Sequence, residues 1–363
     1  MELKFDTSKI YAIALEGGGA KGAYEAGVWK ALDEAGVKYD AVAGTSVGAL
    51  NGAMMAAKDL DTAVKLWENV KFSQVFDADD DQMKKIYDKD LEGLDIVGLV
   101  KDVVEIVKDG GLDIDPLRQM METYIDEEKI RKSDVDFYFV TYSLTDKKEV
   151  ELSAKELEEG SLIDMLLASA YVPVFQRKKL GGKDYVDGSV QNIVPIDSLL
   201  KRGYRDIIMI RIYGLGFEKK IQIPDDINLI TIAPKEKLGG ILQFDPESTK
   251  QDMMLGYYDG LRMLYGLAGE KYYIDRKWNE MQAYLVLRSL MERFYGSDLS
   301  LRELNERILP KLARKLKAKE GDYHDILIRY LEMNAAEAEI TPFQIRSETE
   351  LLQEIIDHWK NKD

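Results

Sequence analysis

The sequence has no cysteine and only two histidines, His324 and His358, in 363 residues. Without thiols it can build neither a disulfide nor a thiolate metal site, which fits a reducing, cytoplasmic compartment. Both histidines fall in the C-terminal quarter, so an imidazole base would have to return from far along the chain. No stretch approaches the ~18 uncharged apolar residues of a membrane-spanning helix. Residues 1–9 are mixed and charged, unlike a secretory leader. Positive charge is also short: 50 Lys and Arg stand against 66 Asp and Glu, a formal net charge of −16. Such a balance argues against nucleic acid as a partner. It gives no attraction to anionic membranes either, so contact with lipid would have to be hydrophobic. The acidic cluster of Asp77, Asp79, Asp80 and Asp81 lacks the glycine and closing glutamate of a calcium loop and reads as a solvated loop. Neither a metal nor a cofactor is expected.

What is present is a chain long enough for a full α/β core with material left over. Ile10–Leu15 is a continuous apolar run of the kind buried parallel strands favour. A glycine-rich stretch follows, then a helical pattern ending at Gly36, a C-cap glycine. Residues 39–43 form a second strand and 47–57 a second helix. Strand, loop, helix, strand, loop, helix is the start of a doubly wound sheet with both loops at the strands' carboxyl ends. Residues 60–130 read as helical and loop-rich, with apolar spacing at 96–107 and 116–124. Strands return at 136–144 and 148–152, and a small-residue helix at 162–170 stops before Pro173. A hairpin is expected from 178–180 and 183–186 around Gly181-Gly182. Runs at 205–213 and 228–233 complete the sheet. Beyond Asp245 the pattern is almost purely helical, with caps at Asp245-Pro246-Glu247 and Ser297-Asp298. The expected division is 1–240 and 241–363.

Two local motifs carry the chemistry. Gly44-Thr45-Ser46-Val47-Gly48 joins a strand to a helix with a serine at the tip. Such a turn strains the backbone, so Gly44 and Gly48 must lack a side chain that would clash. The Ser46 oxygen then projects at a helix N-terminus, where unpaired N–H groups favour negative charge. Gly17-Gly18-Gly19-Ala20-Lys21-Gly22 fits a dinucleotide fingerprint in spacing, but that reading wants an acid at the end of the second strand, and Asp40 stands at its start. A phosphate P-loop fits less well, because Lys21 is followed by Gly22. The third reading is a cradle of backbone N–H groups aimed at a developing oxyanion. For a base, Asp187 ends an apolar strand, and Gly188 permits the turn that would expose its carboxylate; a plain β-turn is the alternative.

In that order these residues resemble the patatin-like phospholipases, with their G-G-G-x-[RK]-G loop, G-x-S-x-G elbow and D-G-[GA] aspartate. Ala168-Ser169-Ala170-Tyr171-Val172-Pro173 is similar to that family's A-S-x-x-x-P segment. The resemblance covers roughly residues 10–215. It departs at Lys21, where arginine is commoner, and at Ser189, where the family has glycine or alanine. It implies a three-layer α/β/α fold with a mainly parallel sheet, followed here by a helical C-terminal region. It also implies a Ser46–Asp187 dyad without histidine that cleaves lipid esters, with the oxyanion held by Gly17, Gly18, Gly19, Lys21 and Gly22. The substrate would be a phospholipid, a lysophospholipid or an acylglycerol.

The remaining candidates read as packing. Trp29, Trp67, Trp278 and Trp359 are expected in cores, Ser169 in a structural role, and His324 and His358 on helix surfaces. The Met- and Tyr-rich stretch from Met253 to Leu267 is expected to pack on the sheet or form a dimer surface, with an acyl-channel wall or a lid as alternatives. Oligomerisation stays open, and membrane contact would be transient. Two rival functions are a catalytically silent lipid-binding protein of the same fold and a nucleotide-binding protein using Gly17–Gly22.

Overall fold

A computed structural model of the chain describes residues 1–77, 79–81, 83 and 110–362. The apolar spacing at 96–107 lies outside the described residues. Packing divides the chain into two units, 6–260 and 261–363 together with 1–5. The division therefore falls inside a helix at Gly260/Leu261, not at the expected 240/241.

The larger unit is built on a seven-stranded sheet. Strands β1 (Ile10–Leu15), β2 (Lys38–Thr45), β3 (Asp136–Ser143), β4 (Lys148–Ser153), β6 (Asp206–Ile210) and β7 (Asn228–Ile232) lie in the order β4-β3-β2-β1-β6-β7, and β5 (Tyr185–Asp187) pairs with β3. The pairs β1–β2, β2–β3, β1–β6 and β6–β7 are parallel, while β4 and β5 run antiparallel to β3. The chain adds β2 and β3 on one side of β1 and β6 and β7 on the other, so the order reverses at β1. In open α/β sheets the crevice beyond such a reversal is where ligands bind.

Side-chain alternation along these strands separates two faces. On one, Ala12, Ala14, Ala41 and Ala43 are small enough for segment 193–200 to pack closely through Ile193, Ile196 and Leu199. On the other, helix α2 (Val47–Ala56) lies so near that a Cβ on Gly52 would stand 2.8 Å from the Phe137 ring and 3.2 Å from Val42. Helices on both faces make three layers. Helix α1 (Gly22–Glu34) ends as expected at Gly36, which has φ +73°.

The expected hairpin is reduced to one bridge, Leu180 with Lys183. Its second arm instead pairs with β3, Thr141 with Asp187 and Ser143 with Tyr185. The preceding register explains why: β2 stops at Thr45 opposite Val140, and the next position along that edge of β3 is empty. β4 occupies the other edge of the same residues. β5 therefore fills the slot that β2 vacates, and Asp187 arrives directly beyond Thr45.

The 20-residue helix Pro246–Tyr265 starts at its expected cap, Asp245, which accepts from the N–H groups of Glu247 and Ser248 at 3.1 and 3.0 Å. It packs on α1, not on the sheet. Glycines make the approach close: a Cβ on Gly260 would stand 2.7 Å from the Ala31 Cβ, and one on Gly256 would overlap the Tyr24 carbonyl. The Tyr24 hydroxyl adds a hydrogen bond of 2.9 Å to Asp259.

The smaller unit has its own core of helices around Leu287, Leu327, Leu331, Leu351 and Ile355, with a two-stranded parallel sheet of Tyr273–Asp275 and Ile345–Ser347. The cap expected at Ser297-Asp298 is instead Ser300, whose hydroxyl accepts from the Glu303 N–H at 3.1 Å. His324 is buried, against the surface position expected: its Nε2 lies 2.9 Å from Glu348, a carboxylate that also accepts the Lys277 N–H at 2.7 Å. An acid sealed in an apolar core needs partners, and the histidine is one of them.

Candidate active site

Ser46 sits between the end of β2 and the start of α2 with φ 55° and ψ −124°, a left-handed conformation that side chains rarely adopt. The flanking glycines are required by contact. A Cβ on Gly48 would stand 2.7 Å from the Leu15 carbonyl and 2.9 Å from that of Glu16, and one on Gly44 would overlap the Gly48 carbonyl. The strain is held from below by Ser169, whose hydroxyl accepts the Ser46 N–H at 3.0 Å and donates to the Val140 carbonyl at 2.7 Å. Ser169 therefore links the elbow to β3, the structural role expected of it.

Asp187 lies beside Ser46, and both side chains are almost wholly buried. Burial pushes the Asp187 carboxyl above its usual range, while the Ser46 hydroxyl and both the N–H and the hydroxyl of Ser189 oppose that rise. The Ser189 N–H bond is 2.7 Å.

The glycine-rich loop follows β1 and crosses the same edge. Of its N–H groups, that of Gly17 donates to the Ile193 carbonyl at 2.9 Å and that of Ala20 to Ile241 at 2.8 Å. The Gly22 N–H turns back to the carbonyls of Ala20 and Gly19. Gly18 and Gly19 have no hydrogen-bond acceptor for their N–H groups among the described residues. Gly19 has φ +59°, and a Cβ there would overlap the Ile241 carbonyl. The Lys21 ammonium donates to the Tyr213 carbonyl at 2.9 Å, and burial lowers its pKa. Of the five residues expected at the oxyanion, the geometry leaves two with free N–H groups and gives Lys21 a bracing role.

The loop is anchored by a residue the sequence reading passed over. Glu16 is 1% exposed and accepts from Arg211 Nε at 2.9 Å and from the N–H groups of Ile212 and Tyr213 at 2.7 and 3.1 Å. A lone acid closing a buried apolar strand was the available signal. Below α1, Asn51 donates to the Gly22 carbonyl at 2.9 Å and to Glu25 at 2.8 Å, and accepts from Trp67 Nε1 at 2.9 Å. Burial holds the Glu25 carboxyl well above the usual range.

Ser46 and Gly19 also line a cavity. Its other walls are mainly apolar: Leu50 and Met54 from α2, Leu66 and Trp67 from α3 (Leu60–Asn69), Phe76, and Leu117 and Met121 from helix Asp115–Tyr124. Phe76 stacks on Phe175 at 5.6 Å and meets Phe244 edge-on at the same distance. Residues 246–260, in the helix weighed as an acyl-channel wall, contribute nothing to this lining.

Asp40 stands at a register shift near the amino end of β2, away from the loop, so no acid is placed for a ribose. Among the described residues no three His, Cys, Asp or Glu side chains are grouped to hold a metal ion, and no helix is long and apolar enough to cross a membrane. In the acidic cluster, Asp80 accepts from the N–H and hydroxyl of Ser73 at 2.8 and 2.9 Å.

A serine on a strained strand-to-helix turn at the carboxyl edge of a mainly parallel sheet defines an α/β protein of the nucleophile-elbow class. The family model for patatin-like phospholipase matches residues 13–200, and the chain belongs to that family. A stretch of 50 residues is 52% identical to patatin-like phospholipase domain-containing protein 6 of Homo sapiens, covering 14% of this chain and 4% of that protein. Another of 61 residues is 46% identical to lysophospholipase nte1 of Aspergillus terreus, covering 17% and 4%. The alignments thus span 4% of the length of these curated relatives. Among solved structures the chain is similar to VipD from Legionella pneumophila, with 14% identity, a TM-score of 0.44, and 97% of this chain and 86% of that one covered.

Proposed function

We propose that this protein is a serine acyl hydrolase that cleaves carboxylic ester bonds of lipids through Ser46 and Asp187. The observation that carries the reading is the placement of Ser46, on its strained elbow at the wall of an apolar cavity, beside the buried Asp187 carboxylate that β5 brings to the end of β2. Asp187 accepts the Ser46 proton as Oγ attacks the ester carbonyl carbon. The tetrahedral oxyanion accepts from the free N–H groups of Gly18 and Gly19, each such donor contributing about 3 kcal/mol. Collapse expels the alcohol, which takes the proton from Asp187, and leaves the acyl group on Ser46. Asp187 then deprotonates water, which attacks the acyl-enzyme. Ser46 Oγ departs with that proton, and the fatty acid is released.

A carboxylate is a weak base toward an alcohol. Burial offsets part of that weakness, because it disfavours the charged form of Asp187 and so raises its affinity for the proton. The rest of the barrier falls to the N–H cradle and the α2 N-terminus. The apolar walls suit the acyl chain of a phospholipid, a lysophospholipid or an acylglycerol. Absence of cysteine supports a cytoplasmic location.

The test is hydrolysis of p-nitrophenyl esters of increasing chain length by the wild type, Ser46→Ala and Asp187→Asn. Both variants are expected to lose at least about a thousandfold in kcat/KM. Activity that survives in Ser46→Ala overturns the nucleophile. A wild type whose Ser46 takes no label from a fluorophosphonate supports the silent lipid binder instead.

A further inference from the structure

Beyond β6 the chain runs as Ile212-Tyr213-Gly214-Leu215-Gly216-Phe217, with an inward and an outward side that alternate. The inward positions press on the catalytic loops. The Ile212 side chain fills the space where a Cβ on Gly18 would stand, 2.6 Å away. A Cβ on Gly214 would overlap the Gly17 carbonyl, and one on Gly216 would meet the Ser189 carbonyl at 2.6 Å. Backbone bonds from Phe217 to Ser189 at 2.7 Å and from Ile193 to Phe217 at 2.9 Å hold the segment in place. The intervening positions carry large apolar side chains in water: Tyr213 is 57% exposed, Leu215 53% and Phe217 55%. Val190, directly after Ser189, is 46% exposed. Glycines inward and large apolar residues outward give a rigid, exposed apolar lip over the residues that flank Ser46 and Asp187. Four large apolar side chains exposed on two adjoining segments mark an interaction surface, not residual exposure.

We infer that Tyr213, Leu215, Phe217 and Val190 form the surface by which this protein docks on the interface of a zwitterionic lipid bilayer. This rests on the reading of Ser46 as an ester-cleaving nucleophile only for its purpose, not for its occurrence. Two observations choose the occupant. The lip packs on Gly17, Gly18 and Ser189, so a lipid surface held there lies against the loops that flank Ser46 and Asp187. The net charge of −16 opposes both an anionic bilayer and a second copy of the chain, whereas a zwitterionic interface accepts apolar insertion without that repulsion.

The full chain, with Leu215→Asp/Phe217→Asp beside it, is sedimented with phosphatidylcholine vesicles and assayed on soluble p-nitrophenyl butyrate. The wild type is expected to pellet with the vesicles. The double variant should partition at least about tenfold less per side chain removed, with kcat/KM on the soluble ester within about twofold of the wild type. Leu215→Trp/Phe217→Trp should keep vesicle binding and show a blue-shifted tryptophan emission on adding lipid. Equal pelleting of the wild type and the aspartate variant overturns the inference, as does a wild type that stays in the supernatant. A lipid-free dimer that the aspartate variant abolishes overturns it in favour of a second copy. Ser46→Ala should pellet like the wild type. If the wild type pellets but hydrolyses no ester, the docking surface stands and the hydrolase reading falls.

Discussion

Ser189 shows how one residue can adjust the proposed Ser46–Asp187 dyad. Its N–H donates to the Asp187 carboxylate at 2.7 Å, and its N–H and hydroxyl both favour the ionised form against the upward push of burial. Ser189→Ala removes the hydroxyl and keeps the backbone bond. The carboxyl should then hold its proton more tightly. Because the base acts only when ionised, the acid limb of kcat/KM should move to higher pH. A pH–rate profile on a soluble ester reads this directly, and a limb that stays in place or moves to lower pH contradicts it. The motif made Ser46 and Asp187 legible as residues. The Ser189 N–H bond to the Asp187 carboxylate was invisible, because a hydrogen bond across a turn depends on the 3-10 geometry of Gly188–Val190.

At the scale of elements, the site is made by where strands stop. β2 ends at Thr45 and β5 takes over the same edge of β3, which brings Asp187 to Ser46. The expected hairpin misassigned that edge, because a two-glycine turn between short polar and apolar runs looks the same whether its second arm pairs with the first or with a distant strand. Helix α2 supplies both the elbow and a cavity wall, so its outward turns set which chain can enter. Leu50→Trp or Met54→Trp should shift the preferred p-nitrophenyl ester toward shorter chains. Palmitate hydrolysis should fall by about tenfold or more while butyrate is spared. Equal losses on both esters would place the acyl chain elsewhere.

Across the whole molecule, the chain forms two units with separate cores. His324 belongs to the smaller core, where it pairs with a fully buried Glu348. His324→Ala should leave ester hydrolysis intact below its melting temperature, since the proposed dyad needs no imidazole. It should lower stability by about 3 kcal/mol, because the carboxylate loses a buried partner. Ester assays and thermal melting on the same sample separate these effects, and loss of activity in a folded variant would argue for a histidine-dependent mechanism.

What the sequence by itself determined is local and steric. Strands alternate or run apolar, glycines stand where a turn leaves no room, and Ser46 must lie at the tip of one such turn. Most strands were legible because burial imposes a period, and the order of the three motifs was enough for the family. Tertiary structure decided the rest: which edge β5 joins, which loop N–H groups stay free, and that Glu16 and Ser169 brace the loop and the elbow. It also decided that the Met-rich helix lies on α1 and that Leu215 and Phe217 face water. These outcomes depend on partners far apart in sequence, whose meeting is set by sheet register and by close backbone approach at glycines such as Gly214 and Gly256. Neither leaves a periodic trace in the residues themselves.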